Sequence, residues 1–405
     1  MTTRVFETAK RRAVCAAAAL LALVGVAVLS MDEFSTRAPG SALLPRLLSE
    51  SGGAEEGRKI CPEDRCPFKM FGNLDEELRR EMKAELNTKN TDSLARFGSE
   101  PLITGDGFRS ICKYRCGPGG CNFLSKDVAP GECVFFEDRA EQRQSTQLLE
   151  ALSSLKGPVV LVSHNSDVEY GRWGLGQGVD QQVLTHPKVQ HWFTQNCAWE
   201  GWKTGTPRPE KLTCIPIGIE NRYNRIGSNP DRYLDAMDLP LDRTRLLYIT
   251  FKESSLRPQR GRVLNYISSL GDTSRWITPY TGSSWDGWEN FAKEERDHGW
   301  EHYAKEVRDH KFTLSPLGHG LDCHRTWEVL LLGGIPVVKH SSLDSLYDGL
   351  PVVILNDWTE LTESRLLEEW DRISRTVFDI DRVFFSYWKK LILHQEELAK
   401  KVSSN

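Results

Sequence analysis

Apolar and polar positions fall into distinct regimes along the chain. Ala13 to Met31 is an uncharged run of 19 residues, preceded by Arg4, Lys10, Arg11 and Arg12 and followed by Asp32 and Glu33. As a helix it would be about 28 Å long, close to the hydrocarbon thickness of a bilayer. Basic residues before the run predict a cytosolic amino terminus and a lumenal remainder, a type II anchor. The Ala-rich composition, with small residues near Ala27 and Ser30, also fits a cleaved secretory signal, and both readings put the rest of the chain in the same compartment. Residues 32–58 are rich in Ser, Gly, Pro and acidic side chains without period, which suits a flexible stem. Leu74, Leu78, Met82 and Leu86 then recur every four residues behind Asn73 and predict a capped helix.

From residue 156 the pattern changes to short β-branched runs separated by helical stretches. Candidate strands are 158–163, 212–217, 245–250, 311–315, 335–338 and 351–355, with helices over 360–375 and 382–400. Phe385, Trp388, Leu391 and Leu393 are the expected core contacts of the last helix. Near-continuous apolar strands alternating with helices predict parallel sheets covered on both faces, hence an α/β class. The polar, Pro-bounded stretch 229–242 places a boundary near 240 between two α/β domains with a cleft between them.

The chain has 405 residues, enough for two domains, and a net charge of -4, which argues against a nucleic-acid partner. Its ten cysteines refine the compartment. Cys61, Cys66, Cys112, Cys116, Cys121 and Cys133 crowd into one segment, and in an oxidising lumen they read as two or three disulfides stapling an amino-terminal subdomain. A zinc site from the last four is the alternative, against which stands the lack of C-x2-C knuckles. Cys197 and Cys214 could bridge, leaving Cys323 odd. No N-x-[ST] sequon occurs.

The candidate chemistry concentrates in 312–338, which reads strand, glycine loop, helix, glycine turn, strand. Gly318 and Gly320 can take positive φ and admit a phosphate, and the helix after them offers free N–H groups and a positive dipole end. Arg325 and Glu328, three apart, share one helix face near the loop: a guanidinium can neutralise a diphosphate and a carboxylate can accept two ribose hydroxyls. The alternative is a surface ion pair worth a few tenths of a kcal/mol. Asp322 reads as a helix cap or a substrate contact. His319 and His324 lack a third ligand at helical spacing and read as loop contacts. Trp327 and Leu330 to Leu332 read as core.

This stretch, "SPLGHGLDCHRTWEVLLLGGIPVV", resembles the carboxyl-terminal signature of exostosin-like glycosyltransferases of GT-B fold, with Ser-Pro-x-Gly, Arg-x-x-Glu and Gly-x-Ile-Pro-Val elements. The resemblance is strongest over 311–338 and fades through 156–365. It implies two Rossmann-like domains facing a cleft, and a nucleotide-sugar donor in the carboxyl-terminal one. Glu328 would bind the ribose, with Arg325, Ser315, Gly318, His319 and Gly320 around the diphosphate. Arg260, after the strand 245–250 with Lys252 and Arg257, would reach the leaving phosphates; the other reading is a solvated basic loop. The implied activity is transfer of a sugar to a glycan or glycoprotein hydroxyl, with inversion, by a type II Golgi membrane protein. No tightly bound cofactor is implied; a divalent ion would ride on the diphosphate. Asp379-Ile-Asp381 lies away from any strand end and does not read as a manganese site.

Inverting transfer needs a base for the acceptor hydroxyl. His164 and Asp167, after strand 158–163, and Glu220, after 212–217, are the candidates, with Glu169 beside them; His164 reads equally as a buried structural histidine. Trp173, Trp192, Trp199, Trp202, Trp285 and Trp288 read mostly as packing, though indole faces can stack on sugars. The expected organisation is tail 1–12, anchor 13–31, stem 32–58, Cys-rich subdomain 59–155, acceptor domain 156–240, donor domain 241–380 and closing helix 381–405. A lumenal glycan-binding protein that kept the fold without catalysis is the alternative. A sulfotransferase or kinase would need a P-loop, which the sequence lacks.

Overall fold

The computed structural model describes residues 100–117, 120–122, 125–137, 145–171, 178–221, 230–236, 239–251, 258–279 and 293–404. The anchor and stem expectations, the helix after Asn73, Cys61, Cys66, Trp173, Lys252, Arg257, Trp285 and Trp288 lie outside these. No helix among the described residues is long and apolar enough to cross a membrane.

Two sheets organise the described chain. The first has six strands in the order β2-β1-β3-β4-β5-β6: β1 Tyr114–Gly117, β2 Gly120–Cys121, β3 Cys133–Phe136, β4 Val159–Ser163, β5 Val189–Thr194 and β6 Leu212–Cys214. All neighbours are parallel except the β1–β2 hairpin. Helices α1 Gly105–Ile111, α2 Ser145–Ser154 and α3 Val179–Thr185 belong to this lobe. β4 is buried at all five positions, as its Val-Val-Leu-Val sequence requires of a strand covered on both faces. The structure differs here from the expected organisation: 114–136 do not form a separate body from 156 onward, because β3 pairs directly with β4. Their short strands, with polar and glycine residues between, carried too little apolar periodicity to be read as part of the sheet.

The second sheet is wholly parallel, in the order β11-β10-β9-β7-β8: β7 Arg245–Ile249, β8 Ile277–Pro279, β9 His310–Leu314, β10 Ile335–Lys339 and β11 Val353–Leu355. α4 Pro230–Ala236, α5 Pro258–Ser269, α6 Lys293–Asp309, α7 His324–Leu331 and α8 Glu363–Ser374 accompany it. Tyr248, Tyr303, Val307, Val329 and Leu332 form part of its buried core. The order makes the chain run from β7 outward to β8, then return to β9 on the other side of β7. The switch between β7 and β9 opens a crevice at their carboxyl ends, the place where such sheets bind ligands.

The last helix, α9 Phe385–Ser404, crosses back to pack on β4 and β5 of the first lobe. The Phe385 amide donates to Pro101 O (2.9 Å), its ring lies edge-on to Phe108, and Lys389 pairs with Glu100 at 3.1 Å. Phe385, Trp388 and Leu391 are buried, but Leu393 is 40 % exposed and not a core contact: it falls on the solvent face of the helix. Cys112–Cys133, Cys116–Cys121 and Cys197–Cys214 form disulfides, so the four cysteines weighed as a zinc set pair two by two. Cys323 is unbridged.

Candidate functional site

The carboxyl ends of β4, β5 and β6 in the first lobe meet the loop 315–323 and the start of α7 in the second. Gly218 turns the chain after β6 at φ +68, and a Cβ there would lie 2.2 Å from Ile103 O, so only glycine delivers the following Ile219 and Glu220 to this position. His324 Nδ1 donates to Gly218 O at 2.7 Å. Asp322 joins the lobes more firmly. Its Oδ2 accepts from Ile217 N (2.8 Å), its Oδ1 from Cys323 N (2.8 Å), and Trp327 Nε1 donates to both oxygens. Asp322 is therefore not the helix cap weighed from sequence: Cys323 occupies the N-cap position without a side-chain cap bond. Burial pushes the Asp322 carboxyl up to about 6.

Gly318 and Gly320 were expected to supply positive φ, and neither does. The requirement at Gly320 is space: a Cβ would lie 2.4 Å from Asn196 Nδ2. Asn196 itself sits at φ 49, donates from Nδ2 to Ser166 O and accepts at Oδ1 from Asp322 N. Gly320 thus meets the first lobe, whereas the neighbours of Gly318 lie within its own loop. His319 is part of the same meeting, its Nδ1 3.9 Å from Asp167 Oδ2, with both side chains largely exposed. Ser315 Oγ lies 2.8 Å from Thr326 Oγ1 and ties β9 to α7 from a buried position.

Arg325 is buried on α7 and its Nε donates to Thr250 Oγ1 at 2.6 Å, directly after β7. Its guanidinium lies 5.5 Å from the ring centroid of Phe251, and the guanidinium of Arg260, from the first turn of α5, lies 5.6 Å from the same ring. Two buried cations thus converge on one phenyl group at the crevice between β7 and β9. Each gains about 0.5–2 kcal/mol from the ring face. Thr250 and Phe251 escaped the sequence reading because they look like the apolar end of a strand.

Glu328, one turn further along α7, is half-buried and not a surface ion pair. Its Oε1 accepts from Tyr233 OH (3.4 Å) and its Oε2 from Tyr303 OH (3.1 Å). Burial pushes the carboxyl up, and the negative charge of Glu220 across the gap adds to the rise, against the lowering effect of His324 and Arg325. Glu220 and Glu328, from opposite lobes, are therefore electrostatic neighbours. The tyrosines were not legible in sequence, lying 95 and 25 residues from their partner.

His164 is 2 % exposed. Its Nδ1 accepts from Asn165 N (2.8 Å) and its Nε2 donates to Pro216 O (3.0 Å), so both ring nitrogens are engaged inside the lobe. Burial pushes its pKa down to about 4 and keeps the ring neutral. It buttresses the turn that carries Glu220. Trp192 is fully buried and donates to Ser163 Oγ, whereas Trp199 and Trp202 are half-exposed. Asp379 caps a short 3-10 turn, accepting from Asp381 N. Among the described residues no group of three His, Cys, Asp or Glu side chains converges as a metal site.

No family model and no curated protein matches the chain. Solved structures similar to it include a chain of the GtfA/B complex, with a TM-score of 0.36 and 10% identity over 67% of this chain and 59% of that one. A UDP-forming alpha,alpha-trehalose-phosphate synthase from Burkholderia xenovorans gives a TM-score of 0.34 and 11% identity over 68% and 76% of the two chains. S. aureus TarM, solved as a G117R mutant in complex with fondaparinux, alpha-GlcNAc-glycerol and UDP, gives 0.33 and 10% over 65% and 54%. The chain thus spans under two thirds of the length of two of these three structures.

Proposed function

We propose that the chain is a glycosyltransferase that moves a sugar from a nucleoside-diphosphate donor to a glycan or glycoprotein hydroxyl. The observation that carries this reading is the convergence of Arg260 and Arg325 on Phe251 at the β7–β9 crevice, with the Glu328 carboxylate one helical turn away. Two guanidiniums suit a diphosphate, and a carboxylate three residues along the same helix from one of them suits the hydroxyls of its pentose. The exostosin-like signature in 315–338 points the same way.

In this reading the acceptor enters from the first lobe. Glu220 takes the proton of the attacking hydroxyl as its oxygen bonds to the sugar's anomeric carbon, and the bond from that carbon to the phosphate oxygen breaks. The departing diphosphate carries the released electron pair to Arg260 and Arg325, whose fixed charges stabilise it as it forms. Attack opposite the leaving group inverts the anomeric centre. His164 has no nitrogen for this task, and Asp167 and His319 stand at the mouth between the lobes, where they could meet the acceptor. The disulfides and the apolar run 13–31 support a lumenal, Golgi-anchored protein.

The test is hydrolysis and transfer by the full chain over a panel of nucleotide sugars. Turnover of at least one donor, lost in Glu328→Ala and in Glu220→Gln, is the expected result. A chain that binds glycans and turns over no donor would instead be a binding protein that kept the fold.

A further inference from the structure

We infer that Tyr233 and Tyr303 are positioning residues that hold Glu328 as a two-pronged acceptor for a vicinal diol, making the site selective for ribonucleotides over 2′-deoxyribonucleotides. This rests on the donor-site reading above and adds to it the groups that set the carboxylate's orientation and the class of nucleotide accepted.

A carboxylate offers two oxygens with about four lone-pair positions between them. Tyr233 from α4 takes one on Oε1, and Tyr303 from α6 takes one on Oε2. One position is left on each oxygen, so the carboxylate presents a forked acceptor. A cis-diol, with two hydroxyl donors on adjacent carbons, matches that fork; a 2′-deoxy sugar supplies one donor and leaves the other oxygen dry. The tyrosines are themselves fixed. Both are buried, and the Trp300 ring lies edge-on to Tyr233 at 4.6 Å and tilted against Tyr303 at 5.6 Å, so one indole braces both phenols. Neither hydroxyl can follow the carboxylate if it rotates, and the two bonds together fix its plane. The Tyr303 hydroxyl also favours the ionised carboxylate against the burial that opposes it.

The experiment measures dissociation constants of UDP, GDP and ADP, each beside its 2′-deoxy counterpart, for the full wild-type chain, Tyr303→Phe, Tyr233→Phe, Glu328→Gln and the Glu328→Gln/Tyr303→Phe double variant. The Phe variants keep the ring against Trp300 and remove only the hydroxyl. Wild type is expected to prefer the ribonucleotide by about tenfold, one charged hydrogen bond's worth. In Tyr303→Phe that preference should fall to about threefold or less, with affinity for the deoxy form changed less than about twofold. Tyr233→Phe, whose bond is longer, should move it in the same direction by less. In the Glu328→Gln background the tyrosine change should have no further effect on the preference.

Equal losses for ribo and deoxy forms in Tyr303→Phe would make the tyrosine merely structural and overturn the inference, as would an unchanged preference in both Phe variants. Should one variant fail to fold, the other decides the point alone. If the wild type binds none of the six probes, it is the donor-site reading that fails. Binding without any ribose preference leaves that reading standing and removes this one.

Discussion

The carboxylate of Asp322, in the second lobe, accepts a hydrogen bond from the backbone amide of Ile217, in the first, at 2.8 Å. The same carboxylate receives Cys323 N and Trp327 Nε1, so one buried side chain ties the lobe contact to the start of the helix that bears Arg325 and Glu328. The lobes are joined by polar groups at the start of the helix that carries Arg325 and Glu328, and the position of that helix depends on them.

Asp322→Ala leaves three donors, two of them buried, without their acceptor and should lower stability by about 2–4 kcal/mol. Its pH dependence has a definite sign. The native carboxyl, at about 6, sits above its unfolded value of 3.8, so between these values the native state holds more protons and its stability falls as pH rises. The cost of the alanine substitution should therefore shrink from pH 4 to pH 6, measured by urea unfolding at each pH. A cost that grows over that range would contradict the assignment.

Gly320→Ala places a methyl group against the Asn196 amide at 2.4 Å. The expected outcome is a change in lobe contact with little loss of either lobe's own fold. Donor affinity should fall, and amide exchange should rise around Ile217 and Asp322 while β4 and β9 stay protected. Adding Asn196→Ala should restore part of the affinity by removing the obstructing group, at the expense of its bond to Asp322 N.

His164 should not appear in the pH profile of turnover. With its pKa pushed down to about 4, below the usual 6.5, the native ring is neutral where the unfolded one is charged, so it lowers stability as pH falls from 6.5 towards 4. A urea series on wild type and His164→Gln should show that component in the first alone. If the acidic limb of kcat shifts in His164→Gln with stability unchanged, the histidine acts on the substrate and not on the turn.

Six of the strands from 158 onward were legible because a strand covered on both faces is largely apolar, as 159–162, 246–249 and 335–338 are. β5, whose Gln190, His191 and Thr194 interrupt the apolar run, and the three-residue β8 were not read as strands. The hairpin and β3 were not, since two to four residues beside disulfides leave no period to read. At the site, the Arg325–Glu328 pair was readable because helical spacing alone puts both on one face. Their partners were not: Thr250, Phe251, Tyr233 and Tyr303 reach them through tertiary folding, and each looks like ordinary core in sequence. In the glycine loop, the close approach of Gly320 to Asn196 was likewise not legible, since a glycine needed for contact looks the same in sequence as one needed for a turn.

Titration of the full chain with nucleoside diphosphates and the matching monophosphates, in wild type, Arg325→Ala and Arg260→Ala, is the most direct measurement. Wild type should favour a diphosphate, and each alanine variant should bind it about tenfold or more weakly with the preference over the monophosphate reduced. Diphosphate binding that is unaffected by removal of either arginine would place the donor elsewhere and leave the crevice between β7 and β9 without its assigned role.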